Sequence, residues 1–270
     1  FATLLADDAA DPAFVAECLA LPDFDTLADM AGVIDVDALL GARNALLDGL
    51  AAALADAFER RYHALAPAAA GGLEGPAMAA RALRNACLEW LTRARPTAPL
   101  AAAQYTAAQN MTERLGALRC LVRYAAPGHD AALAAFRERY AADALVTDKW
   151  LGLMAARPHV TAVDDVVGLL ASAWWVPTNP NRVRAVLGTF SRLNPTAFHR
   201  ADGAGYALLA AQLPLLDGIN SQVAARMLGA FESWSRLTGP RRDAAHEALR
   251  TLRGKLDSRE CGDLLDRLLA

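Results

Sequence analysis

Residues 176–231 read VPTNPNRVRAVLGTFSRLNPTAFHRADGAGYALLAAQLPLLDGINSQVAARMLGAF, and the rest of the chain is organised around them. The stretch holds three Asn-led helix starts: Asn179-Pro180, Asn194-Pro195 and Asn220-Ser221. An Asn side chain satisfies free amides of a first helical turn, and Pro fits that turn because its missing N–H would have had no partner. Among these starts sit the most unusual polar residues of the sequence, Asn181, Arg184, Gln222 and Arg226. Both arginines fall in early turns of expected helices, close to Val183, Leu187, Val223 and Met227.

Outward from this stretch nearly everything reads as helix. Pro12 opens a segment that Pro22 ends, and 24–31 stops at Gly32. Asp35 or Asp37 caps a long run through Leu65, in which Leu39, Leu40, Leu46, Leu47, Leu50, Leu54 and Phe58 recur at intervals that fit a helical apolar face. The clearest loop is 67–76, with two prolines and three glycines, and it is the expected place for any sub-division of an otherwise single helical domain, 1–270. Further helices are expected over MAARALRNACLEWLTRA, around 100–108, over QNMTERLGALRCLVRYA with an Asn110/Glu113 capping box, and at 130–140, 145–155, 160–174, 180–190, 205–213, 221–237, 242–255 and 260–269. VVGLLASAWWV is the one run with a strand-like alternative. Each amphipathic helix must bury its apolar face on another, so short loops between helices of about 10–17 residues imply an all-α fold. The expected architecture is a curved array, or superhelix, of antiparallel helix pairs of the HEAT/ARM-like kind.

The 270 residues are 54% hydrophobic and 21% charged, a globular balance that argues against a disordered segment. A net charge of -3 gives no signal of a nucleic-acid partner. No run approaches the ~20 apolar residues of a membrane span, and the opening FATLLADDAADPAF lacks the basic and apolar blocks of a signal peptide. A cytoplasmic setting without membrane attachment is the expectation. Cys18, Cys87, Cys120 and Cys261 form no CxxC pair and read as core thiols.

Recognisable catalytic chemistry is missing. The sequence has no HExxH, no GxSxG, no Walker A loop and no GxGxxG fingerprint. His63, His129, His159, His199 and His246 are widely spaced, without a local metal-ligand pattern. Asp7-Asp8 and Asp164-Asp165 are adjacent, so on a helix their carboxylates diverge. Tyr206, Trp150, Trp174 and Trp175 read as packing residues and Asn194 as structural.

At ALRNACLEWL, QNMTERLGALRCL, LVTDKWLGLMA, PTNPNRVRAVLGTFSRLNPTAFHRADGAGYALLAAQ and NSQVAARML the sequence resembles the C-terminal helical domain of the bacterial aminopeptidase N group of M1 zinc metallopeptidases. The resemblance covers nearly the whole chain and is strongest over 83–228. It implies a parent enzyme that removes N-terminal amino acids from peptides, with zinc ligands, a catalytic Glu and a GxMEN motif in upstream domains. It also implies that this chain enters the helical domain slightly downstream of its usual start. No cofactor is expected in this part, with zinc held by the parent's catalytic domain. The implied partners are the catalytic and small β-domains of the same parent chain, and peptide substrates.

By the same resemblance, Arg184, Gln222 and Arg226 match positions near the product-side region of an internal chamber, and Asn181 is a further candidate. Arg can pair with a peptide carboxylate or with acids across a domain seam, and Gln222 and Arg226, four apart, share a helix face. A purely local role, solvated or packing, is the alternative for each; for Asn181 it is a turn or cap. At the level of the molecule the alternative is a stand-alone helical-repeat scaffold that binds a protein or peptide.

Overall fold

A computed structural model describes residues 1–159 and 161–270. In chain order its first α-helices are α1 (Ala2–Ala6), α2 (Pro12–Cys18), α3 (Phe24–Met30), α4 (Val36–Ala53), α5 (Ala55–Ala64), α6 (Ala66–Ala69), α7 (Gly75–Ala94), α8 (Leu100–Ala107), α9 (Met111–Arg123) and α10 (His129–Arg139). The series continues with α11 (Ala144–Ala155), α12 (Ala162–Leu170), α13 (Pro180–Val183), α14 (Thr189–Leu193), α15 (Pro195–Phe198), α16 (Ala204–Ile219), α17 (Ser221–Leu228), α18 (Gly239–Arg250) and α19 (Arg259–Leu269). Among the described residues there is no β-strand; one isolated parallel bridge joins Ile34 to Leu237. The all-α expectation holds. The VVGLLASAWWV run is helical to Leu170 and then turns, and the expected helix start at Val160 lies outside the described residues.

Two compact units divide the chain: Phe1–Pro22 with Gly41–Arg139, and Asp23–Leu40 with Tyr140–Ala270. In the first unit, α5 and α7 share a core in which Phe58 stacks on Trp90 with ring centroids 5.3 Å apart. Leu83, Cys87 and Leu88 of α7 and Leu118 of α9 are fully buried with them. The loop 67–76 lies inside this unit. It is held by buried Arg81, whose guanidinium donates to the carbonyls of Ala69, Gly71 and Gly72 at 2.7–3.0 Å. A polar network crosses the same core: Tyr62 donates to Gln104, Gln104 to Asn85, and Arg84 to both Tyr62 and Glu113. Tyr62, Asn85, Gln104 and Glu113 thereby each find a partner, the condition for placing such groups away from water.

The long helix expected through Leu65 is two. Leu54, at φ -112 and ψ 11, breaks it, and α4 and α5 diverge by 66°. The bend lets α5 bury Ala55, Phe58 and Tyr62 while α4 buries little beyond Val36, Leu47 and Ala51. No single helix among the described residues is long and apolar enough to cross a membrane; α4 and α5 meet the length and composition only as a bent pair.

The second unit is built on an aromatic core. Phe198 meets Phe190, His199, Tyr206 and Phe231 edge-on at centroid distances of 5.0–6.0 Å. Edge-to-face packing puts positive ring edges against negative ring faces, and it fixes these elements more specifically than aliphatic contact. Gly205 allows the close approach: a Cβ there would lie 2.2 Å from the Phe198 carbonyl oxygen. The expected helix over 221–237 ends at Leu228, followed by two short 3-10 turns, Gly229–Phe231 and Trp234–Arg236.

Candidate functional site

All three Asn-led starts cap helices as their sequence implies. Asn179 accepts from the amides of Asn181 and Arg182, Asn194 from Ala197, and Asn220 from Val223. Asn194 does more, donating its side-chain amide to the carbonyls of Ala155 (3.0 Å) and Arg157 (2.7 Å). It therefore ties the start of α15 to the end of α11, a structural role.

Between the first two caps the helix changes pitch. Residues Arg184–Gly188 form a π-helical turn in which the Thr189 amide reaches the Arg184 carbonyl five residues back. One residue is thus inserted relative to an α-helix, which keeps Val183, Val186, Leu187 and Phe190 all buried across the join. Arg184 is turned outward. Its guanidinium donates to Asn181 Oδ1 at 2.6 Å and to the Pro180 carbonyl at 3.2 Å, and both side chains are exposed. Asn181 and Arg184 are therefore a local pair, so the turn-type role is present, and it holds the arginine in place.

Gln222 and Arg226 are both exposed and four residues apart on α17. Neither side chain takes part in a hydrogen bond or ion pair among the described residues. The buried neighbour Met227 packs toward Gly188, with its Cε 3.6 Å from where a Cβ at that glycine would stand. The π-turn that carries Arg184 and the helix that carries Arg226 thus adjoin through Gly188 and Met227, and the structure brings the two candidate pairs to adjoining elements.

Sequence reading missed a buried arginine next to the candidates. Arg182, two residues before Arg184, is buried and pairs with Asp148 of α11 at 2.6 Å, while donating to the Trp174 carbonyl at 2.6 Å. Its signal was a lone Asp in an apolar helix, LVTDKWLGLMA. A second unanticipated group is His199, whose ring nitrogen lies 2.8 Å from the Tyr206 hydroxyl. Burial, helped by the nearby Arg241 charge, lowers its pKa to about 4, so it is neutral at pH 7. Tyr206 and Trp150 are buried, as packing residues should be. Cys87, Cys120 and Cys261 are buried thiols and Cys18 is half-buried; all four are unbridged.

Among the described residues no group of three or more His, Cys, Asp or Glu side chains is arranged to hold a metal ion. This donor set does not fit a zinc site.

The family model described as "Domain of unknown function (DUF3458_C) ARM repeats" matches residues 1–270, which agrees with the expected HEAT/ARM-like helical array. The chain is 35% identical to aminopeptidase N of Escherichia coli over 270 residues, covering 99% of this chain and 31% of that protein. It is 37% identical to aminopeptidase N of Caulobacter vibrioides over 234 residues, covering 86% and 27% respectively. The crystal structure of Legionella pneumophila aminopeptidase A in complex with aspartic acid superposes with a TM-score of 0.86 at 24% identity, over 99% of this chain and 33% of that one. At that identity the superposition speaks for the fold. The chain spans about a third of the length of the relatives it matches.

Proposed function

This chain belongs to the family described as a domain of unknown function (DUF3458_C) with ARM repeats, and on that premise we propose that it is the non-catalytic C-terminal helical domain of a zinc-dependent aminopeptidase. The observation that carries the reading is its homology to bacterial aminopeptidase N of the M1 family, which takes in 99% of this chain but only 31% of the Escherichia coli protein. The remaining two thirds of such a parent supply the metal and the hydrolytic residues. Zinc chemistry belongs there, since the residues present here do not fit the ion, and no step is assigned to it in this domain.

In this reading the domain packs on the catalytic part of its own chain and forms one wall of the chamber that admits peptides. Arg226 and Gln222 are open to a ligand, because they are exposed and uncommitted to partners among the described residues. Arg184 is a second cation of the same wall, oriented by Asn181. A guanidinium there binds a peptide carboxylate or acidic side chains of the adjoining domain through charge-assisted hydrogen bonds.

The test uses the full-length parent carrying Arg226→Ala, with kinetics measured over peptides of increasing length. KM rises about 5–30-fold for the peptides long enough to reach the arginine, consistent with the loss of a charge-assisted hydrogen bond of about 1–2 kcal/mol. Metal content and hydrolysis of a single aminoacyl substrate stay unchanged. Unaltered kinetics over the whole series would remove Arg226 from the proposal.

A further inference from the structure

Helix α16 of the second unit is apolar on the side turned away from its neighbours. Its sequence, AGYALLAAQLPLLDGI, holds one charged residue, Asp217. That carboxylate points inward and accepts from the backbone amides of Asp257 at 2.7 Å and Ser258 at 2.9 Å. The Ser258 hydroxyl donates to it as well. Asp217 thus fixes the start of α19 and does nothing to solvate the outer face of its own helix.

The inner side of α16 is fully used. Tyr206, Leu209, Ala210, Leu213 and Leu216 are buried there, and the helix packs on α12, α15, α17 and α18. On the outer side Ala207, Ala211, Leu215 and Ile219 recur every four residues, which puts them in one row about 18 Å long. All four are exposed, Leu215 by 51% and Ile219 by 39%. Pro214 and Gly218 flank the row, and half-buried Gln212 is the one polar side chain at its edge.

A helix on a free surface carries charged and polar side chains at such positions, and a helix apolar on every side is one that something covers. An isolated exposed leucine carries no message, but a continuous apolar row along a helix marks an interaction surface.

Two observations say what covers it. The chain corresponds to only 31% of the Escherichia coli relative, so in a parent of that length the other two thirds must meet this domain somewhere. The row also runs straight into the residues already singled out. It ends at Ile219, next to Asn220, which caps α17, and α17 carries Gln222 and Arg226 and packs on α16.

We propose that the outer face of α16 is a seat for the rest of the parent chain, whose apolar side chains pack across Ala207, Ala211, Leu215 and Ile219. The inference rests on the reading of this chain as one domain of a longer enzyme. Alanine at 207 and 211 lets the partner's backbone come close, while Leu215 and Ile219 enter a hollow on it.

The test places Ala211→Cys in the isolated chain and in the full-length parent, with Cys18→Ser removing the half-buried native thiol and the three buried cysteines left in place. Alkylation of the introduced thiol by N-ethylmaleimide should be at least about tenfold slower in the native parent than in the isolated chain, and the difference should vanish in denaturant. Adding Leu215→Asp should leave the unfolding midpoint of the isolated chain in place and bring the parent's alkylation rate toward that of the isolated chain. Equal rates in the two proteins would overturn the proposal. Protection in the isolated chain that grows with its concentration would give the face to a second copy, and protection in the parent that needs added peptide would give it to the substrate; either result also overturns it. Zinc content and hydrolysis of the parent are read separately, so equal alkylation in an active parent removes this seat and leaves the aminopeptidase reading standing.

Discussion

His199 makes stability depend on pH in a direction set by its burial. The imidazole is neutral in the folded chain, packed on Phe24 and Phe198, with Arg241 donating to its backbone carbonyl at 2.6 Å. Its folded pKa of about 4 lies below the ordinary value of 6.5. Between those limits the unfolded chain binds the extra proton, so stability is complete above about pH 6.5 and declines as pH falls toward 4. The loss amounts to about 3 kcal/mol at the lower limit. Denaturant unfolding between pH 4 and 7 should show this slope, and His199→Gln should flatten it while lowering stability at pH 7. A second prediction at this scale concerns Ala125: at φ 46, Ala125→Gly relieves left-handed strain and should raise stability by about 1 kcal/mol in the same assay.

Helix caps and breaks separate what the sequence tells from what it hides. Asn179, Asn194 and Asn220 were legible because capping is a local matter of one side chain and its next two or three amides. Capping alone makes Asn220→Ala cost about 1 kcal/mol. Asn194→Ala should cost about 2–3 kcal/mol, because it also leaves the carbonyls of Ala155 and Arg157 without their donor. Chemical denaturation of the two variants side by side checks the ordering, and equal losses would contradict the cross-link. The π-turn at Arg184–Gly188 and the bend at Leu54 were not legible. Neither contains Pro, and both are set by which face must be buried against helices distant in the chain. The same blindness drew attention to Arg184 and away from Arg182. Both arginines follow one Asn-Pro start, and only tertiary packing decides that one meets Asp148 while the other meets solvent.

At the scale of the whole molecule, all-α architecture follows from helical periodicity, and the aminopeptidase connection follows from matched segments along most of the chain. The candidate site was only half legible. Sequence spacing placed Gln222 and Arg226 on one helix face, but their lack of partners among the described residues, and the adjoining of α17 with the π-turn through Met227 and Gly188, are properties of the folded unit. The central proposal is that this chain is a domain of an aminopeptidase whose hydrolytic centre lies in the rest of the parent. The measurement that tests it most directly compares this chain with the full-length parent for bound zinc and for hydrolysis of an aminoacyl substrate. The account predicts zinc and hydrolysis in the parent and neither above background in the chain alone. Hydrolysis by the isolated chain that survives a chelator and is abolished by a substitution at one of its own cysteines or histidines would contradict it.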